Sequence, residues 1–209
     1  MLIAQDVPPG TRVLDTYQPM DLASCLQASA LGYGAMVRYI DNLTLREVEW
    51  ITIDGKMGLM LIRTCRKAGW MPTQLIGTAD GQSIAAAAAR LGLPKGVSGF
   101  LDDEEPGGTA EDEIAYLNAG TDAINTYCLA GGYIGSDTRM SSDQLYHRLR
   151  MTRYWKAGSN EPPVAIRGYA MYQEPPLNRI LAGMPERLFD VSVANGDALG
   201  GRCVMAVAA

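Results

Sequence analysis

The sequence predicts a single compact (β/α)8 barrel of the TIM type spanning residues 1–209, with irregular or shortened helices in its second half. Three observations support this prediction. Short apolar runs alternate with helical patterns, which favours a parallel sheet joined by right-handed crossovers. Eight such units fit a chain of this length. The rival open, doubly wound sheet is disfavoured, because the sequence has neither Gly-x-Gly-x-x-Gly nor a Gly-rich loop with Gly-Lys-Ser/Thr.

In the first half of the chain, each apolar run predicted as a strand precedes a helical pattern. The predicted strands are 12–14, 34–40, 58–62 and 97–101, and the predicted helices are 20–31, 44–54, 83–91 and 110–128. Thr44 and Glu47 have the spacing of a capping box, which predicts where the second helix begins. Gly77 and Gly81 fall in a stretch without clear periodicity, which predicts a long loop before the third helix.

The second half shows the same alternation with less regular spacing. The predicted strands are 131–135, 152–157, 164–172 and 188–191, the predicted helices are 141–149 and a short one near 177–181, and an apolar tail covers 203–207. The helical patterns here are shorter than in the first half. We therefore expect the helical layer of the barrel to be incomplete on this side.

Composition excludes several classes of function. The chain is 47% hydrophobic and 20% charged with a net charge of −5, which is typical of a soluble globular protein and disfavours nucleic acid as a partner. No run approaches the roughly 20 apolar residues of a membrane span. The N-terminus lacks a basic segment, so we expect cytoplasmic synthesis without a signal peptide, and delivery by another route if the protein acts outside the cytoplasm.

Cysteine and histidine usage predicts neither a metal site nor a bound cofactor. Cys25, Cys65, Cys128 and Cys203 are far apart in apolar contexts, which favours buried thiols. His147 is the single histidine, so a site with several histidine ligands is excluded, and its helical context favours a packing or surface role.

An abrupt run of acids ends the fourth predicted strand. Four carboxylates, Asp102 to Glu105, follow the apolar residues Phe100 and Leu101. Alternate residues of a strand share a face, so Asp102 and Glu104 point one way and Asp103 and Glu105 the other. Buried charge is costly unless it is paired or used. Two carboxylates on one face with different pKa values are what glycosidic bond cleavage requires.

The active site of such a barrel lies at the C-terminal ends of its strands. Carboxylates and aromatic residues dominate these ends, with one arginine, and the aromatic faces suit sugar rings better than phosphate. The candidate catalytic residues are Glu104, Asp102 and Asp15, and the candidate substrate-binding residues are Tyr17, Tyr39, Arg63, Tyr133, Trp155, Tyr172, Gln173 and Asp190. The structural alternatives are helix capping by Asp15, pairing of Asp102 or Glu104 with Arg63, a turn-forming role for Asp190, and rim packing by the aromatic residues.

Several short motifs follow one another in a characteristic order. They are Val13-Leu14-Asp15-Thr16-Tyr17, Val37-Arg38-Tyr39-Ile40 with Leu43-Thr44, the stretch 85–92 with Pro94, Gly99-Phe100-Leu101-Asp102-Asp103-Glu104, and Asp190. In this order the chain resembles the glycoside-hydrolase-like barrel domain of bacterial and phage proteins, which is related to the family 25 lysozymes. Leu14 in place of glycine, the additional acids Asp103 and Glu105, and the Tyr172-Gln173 pair depart from that pattern.

The resemblance implies a lysozyme-like hydrolase of peptidoglycan or another polysaccharide. Glu104 would donate a proton to the leaving oxygen, Asp102 would support positive charge or orient the acetamido group of the sugar, and Asp15 would complete the cluster. A non-catalytic glycan- or wall-binding module, such as a phage tail or lysis component with other virion proteins as partners, is the alternative. A sugar-phosphate enzyme would need a phosphate-binding turn near Gly196 or Gly200.

Overall fold

The computed structural model of the chain describes residues 1–64 and 66–209 and contains a closed barrel of eight strands. The strands are β1 Leu2–Asp6, β2 Thr11–Thr16, β3 Ala35–Tyr39, β4 Gly58–Ile62, β5 Ser98–Asp103, β6 Leu129–Ile134, β7 Arg153–Lys156, β8 Met171–Leu181, β9 Met184–Ala194 and β10 Val204–Ala208. The barrel order is β4-β3-β2-β9-β8-β7-β6-β5, and pairing of β4 with β5 closes it. The prediction of a TIM-type barrel is confirmed.

The helical layer covers only part of the barrel. The helices are α1 Leu22–Ala30, α2 Leu45–Glu49, α3 Gln74–Arg90, α4 Ala110–Ile124 and α5 Ser142–His147, and α2 continues into a π-helical segment, Trp50–Asp54. In the described part of the chain, helices follow β2 to β6 but not β7 or β8. The shortened helices predicted for the second half are therefore present, and α5 has only six residues.

The last barrel strand runs opposite to its neighbours. β9 pairs antiparallel with both β2 and β8, whereas the other barrel pairings are parallel. Ala182 and Gly183 join β8 to β9, and an antiparallel pair can be joined by such a short turn because no crossover is needed. The short helix predicted near 177–181 is wrong, because these residues extend β8 into this hairpin.

The first and last strands form an antiparallel pair outside the barrel ring. β10 pairs with β1 along its whole length and reaches β4 at the single position Ala206–Leu59. Val7, Cys203 and Met205 belong to the same buried cluster as the inward-facing residues of the barrel. This pair thus packs against the apolar interior, at the end of the barrel where β2 to β7 begin.

The barrel strands are buried on both faces. Inward residues such as Val13, Val37 and Phe100 form one buried cluster, while outward residues such as Leu14 and Leu101 pack in a second cluster with the helices. Alternation along each strand therefore assigns every strand-end side chain either to the mouth of the barrel or to the layer beneath the helices.

Helix α3 begins nine residues earlier than predicted, because two glycines belong to the helix. A Cβ atom at Gly77 or Gly81 would overlap the backbone of α4 at Tyr116 and Gly120. Both glycines are therefore needed for the close packing of α3 against α4. This close helix contact holds α4 beside the end of β5.

The thiol prediction is confirmed for three cysteines. Cys25, Cys128 and Cys203 are free and buried, and Cys65 lies outside the described residues. Within residues 1–64 and 66–209, no helix combines the length and apolar character required to cross a membrane.

Candidate active site

Strand β5 carries its acids to the mouth of the barrel in alternating directions. Phe100 packs inward against Trp155 with ring centroids 5.6 Å apart, and Leu101 belongs to the outer cluster. Asp102 and Glu104 therefore share the inward face with Phe100. Asp103 faces outward and is fully buried, and Glu105 is exposed in the loop that follows the strand.

Two more carboxyl groups reach the mouth from β2 and β9. Asp15 and Asp190 are direct partners in the antiparallel register of these strands. Asp15 is 4% exposed, and the half-buried Asp190 accepts a hydrogen bond from the Asn178 amide at 2.5 Å. With Thr16, Tyr17, Gln18, Tyr39, Asn178 and Leu188, these two acids line a cavity of about 310 Å³.

The four inward carboxyl groups, Asp15, Asp102, Glu104 and Asp190, form one interacting cluster, here called the acid cluster. Burial raises the pKa of Glu104, and the charges of Glu105 and Asp190 raise it further. Burial also raises the pKa of Asp102 well above its ordinary value, and the charges of Glu104, Asp103 and Asp15 raise it further. Such a cluster retains protons at a pH where isolated carboxyl groups have lost them.

Asp15 differs from Asp102 in having groups that favour its ionised form. Burial and the charge of Asp190 raise its pKa, whereas the positive charge of Arg38 and a hydrogen bond from Gln173 oppose that rise. All the influences that shift Asp102 raise its pKa. Burial therefore raises the pKa of both carboxyl groups, and only Asp15 has neighbours that oppose the rise.

Aromatic and amide side chains form the floor beneath the acid cluster. Trp155 is 1% exposed, packs on the Tyr133 ring at 4.7 Å and donates from Nε1 to Ser192 Oγ at 3.0 Å. The Tyr133 hydroxyl donates to Gln173 Oε1 at 2.9 Å, and the Gly158 amide donates to the same oxygen at 3.0 Å. Gln173 is thereby fixed in the orientation from which it contacts Asp15.

A second cavity, of about 390 Å³, lies across the mouth between the loops after β6 and β7. Its lining is polar: Ser136, Asp137, Thr138, Ser159, Asn160, Glu161 and Pro162. Glu161 raises the pKa of Glu104 from this side, as Asp190 does from the side of the first cavity. A carboxylate from the lining of each cavity, Asp190 or Glu161, therefore acts electrostatically on Glu104.

Solved structures of similar fold span nearly the whole chain, although no family model and no curated protein sequence matches it. An uncharacterised Bacillus stearothermophilus protein has a TM-score of 0.65 at 17% identity, over 89% of this chain and 96% of that one. A family 25 glycosyl hydrolase from Bacillus anthracis has a TM-score of 0.57 at 12% identity, over 90% of each chain. A muramidase from Acremonium alcalophilum has a TM-score of 0.56 at 14% identity, over 90% of this chain and 95% of that one.

The chain has the fold of the family 25 glycoside hydrolases. At these identities the likeness concerns the fold. It agrees with the resemblance carried by the sequence motifs, and the structure places the β5 acids at the end of a strand in a barrel of that fold.

Two of the predicted substrate-binding residues are not brought to the acid cluster. Arg63 bonds to Asp41 at 2.5 Å and Asp80 at 3.1 Å, so it is part of an ion-pair network around α3 and not a partner of Asp102 or Glu104. Tyr172 lies on the outer face of β8 against Tyr169, because its neighbours Met171 and Gln173 take the inward positions.

The two predicted tyrosines of the first cavity lie at its rim. Tyr17 is 54% exposed, and its ring meets the edge of Tyr39 at a centroid distance of 5.6 Å. This exposed aromatic pair is placed where a sugar ring entering the cavity would contact it. Trp155 and Tyr133, by contrast, are buried in the floor.

A buried ion pair supports the acid cluster on the β2 side of the barrel, and the sequence interpretation missed it. Arg38 is fully buried, pairs with Glu47 at 2.6 Å, and donates to the Thr16 carbonyl. Glu47 also accepts from the Met20 amide at 3.0 Å, so its side chain does not complete the predicted capping box with Thr44. An arginine and a glutamate within two apolar segments were the available signal.

Within the described ranges, no group of acidic, cysteine and histidine side chains could hold a metal ion.

Proposed function

We propose that this protein hydrolyses the glycan strands of peptidoglycan by acid-assisted cleavage at an N-acetylmuramic acid linkage. The observation that carries the proposal is the acid cluster at the mouth of a family 25 barrel, with Asp15, Asp102, Glu104 and Asp190 within electrostatic range of one another. A muramidase and the catalytic domain of an endolysin share this fold.

Glu104 is the proton donor to the leaving oxygen. It lies directly after β5 and is half-buried, whereas Asp102 is buried, so a bound substrate can reach the carboxyl group of Glu104. Its pKa is raised by burial and by the carboxylates around it, which keeps it protonated at a pH where an ordinary glutamate is ionised. Proton donation from such a group assists departure of the sugar oxygen through an oxocarbenium-like transition state.

Asp102 orients the acetamido group and supports the developing positive charge. Its Oδ1 is buried and accepts no hydrogen bond from the described residues. An acetamido N–H of the substrate would supply the donor that this oxygen lacks, and would favour the ionised form of a carboxyl group that otherwise holds its proton. Burial and Asp190 raise the pKa of Asp15 while Arg38 and Gln173 oppose that rise, so Asp15 would add negative potential beneath the sugar in its ionised form.

The polymeric nature of the substrate agrees with the shape of the mouth. Two cavities of about 310 and 390 Å³ lie on opposite arcs of the barrel rim, with Glu104 influenced from both. Their linings are dominated by hydroxyl, amide and carboxylate groups, and Asp137 and Glu161 make the second one unsuited to phosphate. A glycan strand crossing the mouth would place one sugar on each side of Glu104.

The proposal is tested by treating purified cell walls with the wild-type protein and with Glu104→Gln. Glutamine keeps the size of the side chain but cannot donate the proton, so we expect the release of new reducing ends to fall by about 10²–10⁴-fold. Borohydride reduction of the products, followed by mass spectrometry, identifies which sugar carries the new reducing end.

Glu105→Gln is the matched control, because it makes the same change one residue further on, at an exposed position outside the cluster. We expect it to clear walls at acidic pH. Equal activity of the wild-type protein and Glu104→Gln would contradict the role of Glu104. Sedimentation of the wild-type protein with walls, without release of reducing ends, would instead identify a non-catalytic binding module.

A further inference from the structure

A second pair of carboxyl groups lies directly behind the acid cluster. Asp103, between Asp102 and Glu104 on β5, faces outward and is 0% exposed. Glu113, in the first turn of α4, is also 0% exposed, and the two carboxyl groups are within hydrogen-bonding range of each other. Neither the proposed chemistry nor the packing of α4 explains why a strand should bury a second acid here.

Hydrogen-bond accounting indicates that this pair holds a proton. Both oxygens of Asp103 are buried and accept from no donor among the described residues. Two ionised carboxylates could not donate to each other, whereas one proton between them would supply the missing donor. Burial raises the pKa of Asp103 well above its ordinary value, and the neighbouring Glu113 raises it further.

Few charges face the pair from the surrounding elements. The neighbour on β5 is Asp102, and the charge of Asp103 raises its pKa. The neighbour on α4 is Tyr116, and its hydroxyl donates to Asp80. The loop after β6 contributes Arg139, whose charge favours ionised Glu113. Arg63 and Arg66 pair with Asp80 on α3, so in the described structure no salt bridge reaches Asp103 or Glu113.

The pair is connected to Glu104 through the loop after β6. Glu113 accepts from Thr138 Oγ1 at 2.8 Å and from the Arg139 amide at 2.9 Å, which fixes this loop. At the start of the same loop, the Gly135 amide donates to the Asp103 carbonyl at 3.0 Å. Gly135 lies so close to Glu104 that an added Cβ would come within 2.8 Å of its Cα.

We propose that Asp103 and Glu113 are positioning residues that share one proton and hold Glu104 in its working position. This inference rests on the proposed hydrolase function and deepens it. When the shared proton is lost at alkaline pH, two buried anions repel each other across the β5–α4 contact. The end of β5 and the loop after β6 then shift, and proton donation from Glu104 becomes less effective.

Asp103→Asn removes the titration of the shared proton but keeps a hydrogen bond to Glu113. The asparagine amide donates to Glu113 permanently, so the contact no longer depends on pH. A carboxyl group whose pKa is raised by folding gives stability that is complete below its unfolded pKa and is lost as pH rises through its folded pKa. The thermal midpoint of the variant should therefore rise relative to that of the wild-type protein as pH increases from about 5 to 9.

The activity profile tests the link to Glu104. Near the acidic optimum, Asp103→Asn should hydrolyse soluble glycan fragments within about twofold of the wild-type rate. At the alkaline end of the profile, each protein retains a fraction of its optimal activity. This fraction should be at least about threefold larger for Asp103→Asn than for the wild-type protein, because the pair in the variant carries only one charge. Glu113→Gln, which also leaves one ionisable group in the pair, should shift both profiles in the same direction and serves if Asp103→Asn does not fold.

Each failure has a distinct signature. If the difference in thermal midpoint does not change with pH in either variant, no titrating proton is shared and the inference is overturned. If the midpoints change with pH but the alkaline limb of activity does not move, the pair does not position Glu104. If the wild-type protein is inactive at every pH, the proposed function fails, while the midpoints still decide whether the proton is shared.

Discussion

Replacing Gly135 with alanine isolates the contact that fixes Glu104 against the loop after β6. The new Cβ would lie 2.8 Å from both Cα and Cβ of Glu104, whereas ordinary contacts begin at about 3.4 Å. The neighbouring strand ends must therefore separate by roughly 0.6 Å. Because misplacement by about 1 Å can cost 10²-fold in rate, we expect kcat/KM to fall by roughly ten- to a hundredfold.

Stability should change much less than activity. Gly135 does not adopt the left-handed conformation, so alanine fits its backbone and restricts the unfolded chain. The cost of crowding, about 1–3 kcal/mol, is partly offset by that restriction, worth about 0.4–1 kcal/mol. A loss of this size lowers the thermal midpoint of a chain of this length by several degrees, and the protein stays folded at 25 °C.

The assay compares kcat/KM on soluble peptidoglycan fragments with the thermal midpoint of each variant. Gly34→Ala is the matched control, since its Cβ would crowd the Thr11 side chain at 2.9 Å, beside the opposite ends of the strands. We expect this control to keep its activity. Wild-type kcat/KM in Gly135→Ala, or an equal loss in Gly34→Ala, would refute the reasoning, because the contact with Glu104 would then not be what limits the rate.

Two further predictions concern charges around the acid cluster. Arg38→Met leaves Glu47 buried without its cation, so the free energy of unfolding in urea should fall by about 3–5 kcal/mol, and an unchanged midpoint would exclude a stabilising role for this pair. Glu105→Gln removes a charge that raises the pKa of Glu104, so the alkaline limb of the activity profile should move to lower pH. A shift to higher pH would mean that another group sets this limb.

Local periodicity was sufficient to predict the position of most barrel strands, but it did not decide which of the β5 acids face inward. A strand repeats every two residues, so Asp102 and Glu104 were predicted to share one face and Asp103 and Glu105 the other, and the structure decided that the first pair faces inward. Nothing in the sequence explained why Asp103 should be buried on the outer face. Periodicity did not reveal that Tyr172 faces outward, because the strand boundary at 164–172 was placed too early and the inward register of Gln173 was not recognised.

The contacts between distant residues were decided by tertiary structure alone. Asp15 meets Asp190 because β9 is antiparallel to β2, and Asp103 meets Glu113 because the glycines of α3 let α4 pack closely beside the end of β5. Neither partner can be identified from spacing along the chain, since strand direction and helix packing are set by interactions between distant segments. The sequence by itself determined a barrel with acids at its strand ends. Only the folded structure decided which of those acids face one another and which stand apart from the mouth.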